Sequence, residues 1–166
     1  EDWPFGDGRA FPAGPMRDPL PAGLRRADGV LVLLPNDVPQ ADAGLIALLK
    51  GPPLLTGHLA PVAPPPKGPQ VGFAGIGKPW KVERALQAAG CDLADFAPFP
   101  DHAAYDEATL KALADRAALF NAGLVTTEKD WVRLPPPWQA RVTPWPVAAV
   151  FDDEAALDAL LAKAGL

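Results

Sequence analysis

The stretch QVGFAGIGKPWKVERALQAAGCDLADFAPFPDH, residues 70–102, decides the fold that this sequence predicts. It begins with a buried strand over 71–74 and passes through a glycine turn into a helix over 79–89. A second strand follows over 93–96. The helix begins with a proline and ends at Gly90, and these residue types are common at the first and last positions of helices. Strand, helix and strand in this order predict parallel neighbours joined by a right-handed crossover.

The loop that closes this stretch, Phe99-Pro100-Asp101-His102, places a carboxylate and an imidazole directly after a strand. Open α/β sheets keep their functional groups in such loops. Histidine titrates near neutral pH, so it can handle a proton or face a phosphate. Asp101 and His102 are therefore candidate catalytic residues. The alternative is a plain turn, stiffened by Pro100 and capped by Asp101.

Beyond this loop the sequence predicts further strands and helices in alternation. They are a helix over 106–120 with Asp106 as its N-cap, strands over 124–127 and 147–151, and a final helix capped by Asp152 or Asp153 and closed by Gly165. The fold class predicted is α/β: a four-stranded parallel sheet with flanking helices, a three-layer α/β/α domain.

The chain ahead of residue 70 divides into two parts. Residues 1–50 combine a long Gly- and Pro-rich loop with a short strand over 29–34 and a helix over 39–50. Residues 51–69 are rich in proline and predict an extended inter-domain linker, with strand structure over 54–62. We therefore expect three segments: 1–50, the linker 51–69, and an α/β domain over 70–166.

Composition excludes several classes of protein. The formal net charge of −5 argues against a broad nucleic-acid face. Cys91 is the sole cysteine, so an internal disulfide and a cysteine-based zinc cage are excluded. No apolar run approaches the ~20 residues that span a bilayer. The opening Glu-Asp-Trp-Pro, without an initiator Met, predicts a chain that begins within a longer protein.

The turn Gly75-Ile76-Gly77 superficially resembles a dinucleotide-binding loop. The third glycine of G-x-G-x-x-G would fall on Trp80, and no acidic residue follows the next strand in the expected setting. A tight turn is the interpretation that we favour.

The run Thr126-Thr127-Glu128-Lys129-Asp130 follows the strand over 124–127. Its polar side chains either line a cleft at the carboxyl edge of the sheet or form a capped turn. In the second case Glu128 and Lys129 are simply solvated.

The loop GDGRAFPAGPMRD, residues 6–18, combines glycines with Arg9 and Arg17. Glycines allow close backbone approach, and arginines bind phosphate oxygens through paired donors. The loop is either an anion site or an ordinary surface loop with exposed arginines.

Four segments together resemble the motifs of the tetraacyldisaccharide 4′-kinases, the lipid A kinases of Gram-negative bacteria. In chain order they are GDGRAFPAGPMRDP (6–19), FAGIGKP (73–79), FPDHAAY (99–105) and VTTEKDWVRLP (125–135). The resemblance implies a P-loop kinase that transfers the ATP γ-phosphate to the 4′-hydroxyl of a tetraacylated disaccharide phosphate. It also implies a cytoplasmic location, peripheral to the inner membrane.

The resemblance implies roles for individual residues. His102, with Asp101 beside it, matches the catalytic histidine, which pairs with an aspartate elsewhere in the kinase. Arg17 and Asp18 match an arginine–acid pair near nucleotide and metal, and Arg9, Glu128 and Lys129 are the further substrate- or nucleotide-binding candidates.

The Walker A pattern G-x-x-x-x-G-K-S/T is absent from the chain. We therefore expect a C-terminal portion: residues 1–50 as the tail of the ATP-binding domain, then the linker, then the C-terminal domain. ATP and Mg²⁺ would be held mainly by the missing N-terminal half, which would also contact the membrane, and the chain alone would be inactive. The alternative is a non-catalytic α/β module that binds a sugar phosphate or a protein partner.

Overall fold

The computed structural model of the chain describes residues 5–34, 38 and 40–165. In chain order the elements are α1 (Leu20–Arg26), β1 (Val30–Leu34), α2 (Ala43–Leu48), β2 (Leu54–Pro61), β3 (Gln70–Ala74), α3 (Pro79–Ala88), β4 (Leu93–Pro98), α4 (Glu107–Leu119), β5 (Gly123–Thr127), α5 (Glu128–Trp131), α6 (Pro136–Gln139), β6 (Val142–Trp145), β7 (Val147–Phe151) and α7 (Glu154–Ala164).

The chain divides into two units with separate packing. The first unit combines Glu1–Ala60 with Ala149–Leu166, and the second unit is Pro61–Ala148. These boundaries differ from the expected segments 1–50, 51–69 and 70–166. The expected linker holds β2, which pairs in parallel with β1, and the end of the chain returns to the first unit.

The second unit has a four-stranded parallel sheet in the order β4-β3-β5-β6. Every residue of β3 is buried, because this central strand is covered on both faces. Val71 and Phe73 pack on one face against α4, and Ala74 packs on the other against Leu86 of α3. The three-layer α/β/α fold is thereby confirmed.

The fourth strand of this sheet is β6 and not the predicted strand over 147–151. Within β6, Pro144 pairs with Thr126, and proline is tolerated because β6 lies at the edge of the sheet. The predicted strand exists as β7, but it joins the first unit's sheet, in the order β1-β2-β7.

Helix ends follow local capping rules. The side chains of Asp106 and Asp153 accept backbone N–H groups at the starts of α4 and α7, and Gly165 closes α7 with a left-handed φ of 84°. The helix predicted over 39–50 is shorter and begins at Ala43 after the Asp42 cap, and Pro39 lies outside the described residues. α1 was not predicted.

Candidate functional site

Three of the four motif segments meet at one edge of the second unit. The segments 73–79, 99–105 and 125–135 follow or include the carboxyl ends of β3, β4 and β5, which are neighbours in a parallel sheet. Loops at this edge are where open α/β sheets carry their functional groups. We call this region the carboxyl edge.

The loop over 99–105 is tied to the turn after β3 by its backbone. Phe99 N–H donates to the carbonyl of Ala74 at 2.8 Å, and His102 N–H donates to the carbonyl of Gly75 at 3.2 Å. An added Cβ at Gly75 would lie 2.7 Å from the hydroxyl oxygen of Tyr105. Any residue other than glycine at position 75 would force its neighbours to move. This close approach explains why the first residue of the tight turn is a glycine.

The predicted catalytic pair lies at the tip of this loop. His102 Nε2 is 3.7 Å from Asp101 Oδ2, and the side chains are 74% and 46% exposed. Asp101 Oδ1 also accepts the backbone N–H of His102 at 3.1 Å. His102 has a φ of 58°, in the left-handed region that few non-glycine residues adopt. The loop thus presents an imidazole and a carboxylate to solvent, available to a group from outside the loop.

Aromatic packing holds both ends of the loop on the core. The rings of Phe73, Phe99 and Tyr105 form three edge-to-face contacts with centroid separations of 5.4 to 6.4 Å. Each such pair contributes about 0.5–1.5 kcal/mol beyond the burial of apolar area. Phe99 and Tyr105 bracket the exposed tip, so the loop is anchored at its ends while Asp101 and His102 stay accessible.

Beneath the loop lies Asp130, which is fully buried. Its Oδ2 accepts the Gly75 N–H at 3.2 Å and the Thr127 hydroxyl at 2.7 Å. Its Oδ1 accepts the Tyr105 hydroxyl at 3.0 Å and Arg133 Nη1 at 3.3 Å. A buried carboxylate is tolerated only when its charge is paired and its oxygens are hydrogen-bonded, and both conditions are met.

Arg133 extends this network back to the loop. Its Nη2 donates to the carbonyl of Ala103, and its guanidinium lies 5.6 Å from the centre of the Tyr105 ring. Burial raises the pKa of Tyr105, and the adjacent charge of Asp130 raises that pKa further. The Tyr105 hydroxyl therefore keeps its proton and acts as a donor to Asp130.

The segment over 126–130 forms a capped turn. The Thr127 hydroxyl accepts the Asp130 N–H at 3.1 Å at the start of α5, and Glu128 and Lys129 are exposed. The capped turn that the sequence allows is therefore present. Glu128 and Lys129 lie at the carboxyl edge, as do Asp101 and His102.

Arg9, Arg17 and Asp18 belong to the first unit, where their loop is closed by local hydrogen bonds. Phe11 N–H donates to the Met16 carbonyl at 2.7 Å, and Arg9 N–H donates to Asp7 Oδ1 at 3.0 Å. Both arginines are exposed, and Asp18 forms an exposed ion pair with Arg26.

The sequence analysis named Asp130 only as a member of the polar run over 126–130 and did not single out Tyr105 or Arg133. One signal was available: Thr127-x-x-Asp130 has the spacing of a helix capping box. That spacing predicts a local cap and carries no information on the contacts of Asp130 with Gly75 and Tyr105, which lie 55 and 25 residues away along the chain.

Among the residues that the structure describes, no group of three or more His, Cys, Asp or Glu is arranged to hold a metal ion. A search of the same residues for a membrane-spanning helix finds none of sufficient length and apolarity.

The chain is thus an α/β protein with a parallel sheet, and its candidate functional pair, Asp101 and His102, lies in a loop at the carboxyl edge of that sheet. The family model of tetraacyldisaccharide-1-P 4′-kinase (LpxK) matches residues 1–165. The chain belongs to this family.

Individual relatives agree with this assignment. A tetraacyldisaccharide 4′-kinase of Caulobacter sp. (strain K31) is 68% identical over 166 residues, covering 100% of this chain and 50% of the relative. The Maricaulis maris kinase is 49% identical over 158 residues, covering 95% of this chain and 46% of the relative. The chain thus spans about half the length of the curated relatives it matches.

A solved structure shares the fold. The "apo" form of LpxK from Aquifex aeolicus, solved in complex with ATP, superposes with a TM-score of 0.61 at 21% identity. The match covers 95% of this chain and 48% of the Aquifex chain.

Proposed function

We propose that this chain is half of a kinase that transfers the ATP γ-phosphate to the 4′-hydroxyl of a tetraacyldisaccharide 1-phosphate in lipid A biosynthesis. The observation that carries the proposal is the family match over residues 1–165. The exposed Asp101–His102 pair supports it, because a group that works with a base from another part of the protein must be accessible.

The role that we propose for His102 is to orient a catalytic aspartate supplied by the other half and to help carry developing charge. Asp101 lies beside the imidazole, with its Oδ2 3.7 Å from His102 Nε2. Phosphoryl transfer depends mainly on positioning and electrostatic stabilisation, so a residue outside the phosphate-binding loop can contribute strongly.

The other candidates would act through charge. Arg9 and Arg17 are exposed donors suited to phosphate oxygens, with Asp18 nearby in sequence, and Lys129 and Glu128 lie at the carboxyl edge. We propose that all five contact nucleotide or substrate, while Mg²⁺ and most of the ATP contacts come from the other half.

The two units have corresponding places in this proposal. The first unit, Glu1–Ala60 with Ala149–Leu166, would belong with the ATP-binding domain, and the second unit, Pro61–Ala148, would be the C-terminal domain. The complete kinase would work in the cytoplasm at the face of the inner membrane, with the other half making the membrane contact.

A reconstituted kinase tests the proposal. We define it as residues 1–166 joined to the half of the Caulobacter sp. relative that they leave uncovered, a replacement at 68% identity. With radiolabelled ATP and a tetraacyldisaccharide 1-phosphate, the reconstituted kinase should transfer label to the 4′ position, and the chain alone should not. Turnover by the chain alone, or none by the reconstituted kinase beside an active relative, would refute the proposal.

A further inference from the structure

The tip of the loop over 99–105 is not held by side-chain packing. His102 is largely exposed and Asp101 is about half exposed, and His102 has a left-handed backbone that few non-glycine residues adopt. What holds the tip in place must therefore be its backbone contacts. Two of them flank the imidazole: His102 N–H to the Gly75 carbonyl, and Arg133 to the Ala103 carbonyl.

Both contacts depend on one carboxylate. Asp130 accepts a hydrogen bond from the N–H of Gly75, and the carbonyl of Gly75 accepts one from the N–H of His102. Asp130 also accepts a hydrogen bond from Nη1 of Arg133, and Nη2 of that arginine donates to the carbonyl of Ala103. It also accepts the hydroxyl of Tyr105, at the end of the loop. The fully buried Asp130 is thus hydrogen-bonded directly to Gly75 and Tyr105, and it is connected to Ala103 through Arg133.

The chemistry of the position requires an aspartate. Four donors converge on two oxygens, and a carboxylate has enough lone pairs to accept all of them. Asparagine would keep one oxygen and present an N–H₂ group to the other pair of donors. Glutamate would add a methylene where the residue is fully buried.

We propose that Asp130 is a positioning residue for phosphoryl transfer: its carboxylate joins Gly75, Arg133 and Tyr105 and so fixes the backbone that presents His102. The proposal rests on the proposed function. Asp130 is buried beneath the loop and acts through His102 without touching substrate. Misplacing a catalytic group by about 1 Å can cost on the order of 100-fold in rate.

The first test is kinetic and uses the reconstituted kinase. Asp130→Asn should lower kcat about tenfold or more and leave KM for ATP within about twofold. Asp95→Asn is the matched control, because Asp95 pairs with Arg116 in the same unit but lies toward the amino end of β4, opposite Val71. It should change kcat less than about twofold. Equal kcat losses in the two variants would overturn the proposal.

A double-mutant cycle asks whether Asp130 acts through His102. In a kinase that already carries His102→Asn, adding Asp130→Asn should lower kcat by less than about twofold, because the group that Asp130 positions is already absent. If the double variant instead loses kcat by the product of the two single losses, the residues act independently and the proposal is overturned. An inactive unsubstituted reconstituted kinase would instead refute the proposed function, which separates the two failures.

Hydrogen exchange on the 166-residue chain provides a readout without activity. In Asp130→Asn, the amide protons of Gly75 and His102 should exchange at least about tenfold faster, while that of Leu86 in α3 changes little. Uniform acceleration would mean that Asp130 only stabilises the unit, and would overturn the proposal. If Asp130→Asn does not fold, Tyr105→Phe removes one of the four donors and should show the same selective change at smaller size.

Discussion

The alpha carbon of Gly75 lies so close to Tyr105 that a Cβ built on it would be 2.7 Å from the hydroxyl oxygen. The same hydroxyl donates to Asp130 of α5. The backbone of one loop, the hydroxyl of a second and the carboxylate of a helix therefore lie in contact. This contact explains why a glycine turn, an aromatic residue and a buried acid occur together at the carboxyl edge.

The first prediction concerns that contact. Gly75→Ala should lower the free energy of unfolding of the chain by about 1–3 kcal/mol, because the new methyl group overpacks a filled space. Urea unfolding measures the effect. Gly77→Ala is the control, since its added Cβ would lie 3.8 Å from Asp101, an ordinary contact. Equal losses in the two variants would show that the Tyr105 hydroxyl is not the obstacle.

The second prediction concerns His102. His102→Asn in the reconstituted kinase should lower kcat by about 100-fold or more, in the range expected for acid–base groups, with little change in folding. Asparagine is chosen because it tolerates the left-handed backbone at this position. The control is His58→Asn, which alters the other histidine, in β2 of the first unit. Unchanged kcat in His102→Asn would remove the catalytic assignment.

The third prediction concerns acid stability. The hydrogen bond from Arg116 lowers the pKa of Asp95 in the folded state. A carboxyl with a lowered folded-state pKa stabilises the fold above its ordinary pKa of about 3.9, and this stabilisation is lost as the pH falls from there through the folded-state value.

Unfolding experiments between pH 7 and pH 2 test this assignment. Asp95→Asn should lose less stability on acidification than the unsubstituted chain, and Arg116→Gln should match Asp95→Asn. If all three chains lose stability in parallel, the Asp95–Arg116 pair does not contribute to the acid response.

The fourth prediction concerns the start of α4. Asp106 accepts the Thr109 N–H at 2.8 Å as the N-cap, so Asp106→Ala should cost about 1 kcal/mol of unfolding free energy. Asp115→Ala removes an exposed carboxylate from the middle of the same helix, where its partner is Lys111. Its cost should stay below about 0.5 kcal/mol. Equal costs would argue against the cap.

Much of the secondary structure was predictable because it depends on neighbours in sequence. Asp106 and Asp153 cap their helices and Gly165 ends the last one, all through groups within four residues. The strand over 147–151 was also predicted, but the prediction placed it in the wrong sheet. Pro144 lies within β6 and Pro146 directly follows it, and prolines in a sequence argue against a strand. The residues of β7 carry no local signal that the strand pairs in the sheet of the first unit.

The sequence by itself determined the α/β fold, the helix caps and the place of Asp101 and His102 in a strand-to-helix loop. Each follows from periodicity or from contacts across a few residues. Only the tertiary structure decided that Asp130 is buried beneath that loop. Its partners Gly75 and Tyr105 lie 55 and 25 residues away, and an aspartate in a polar run is exposed or buried according to what the rest of the chain packs over it.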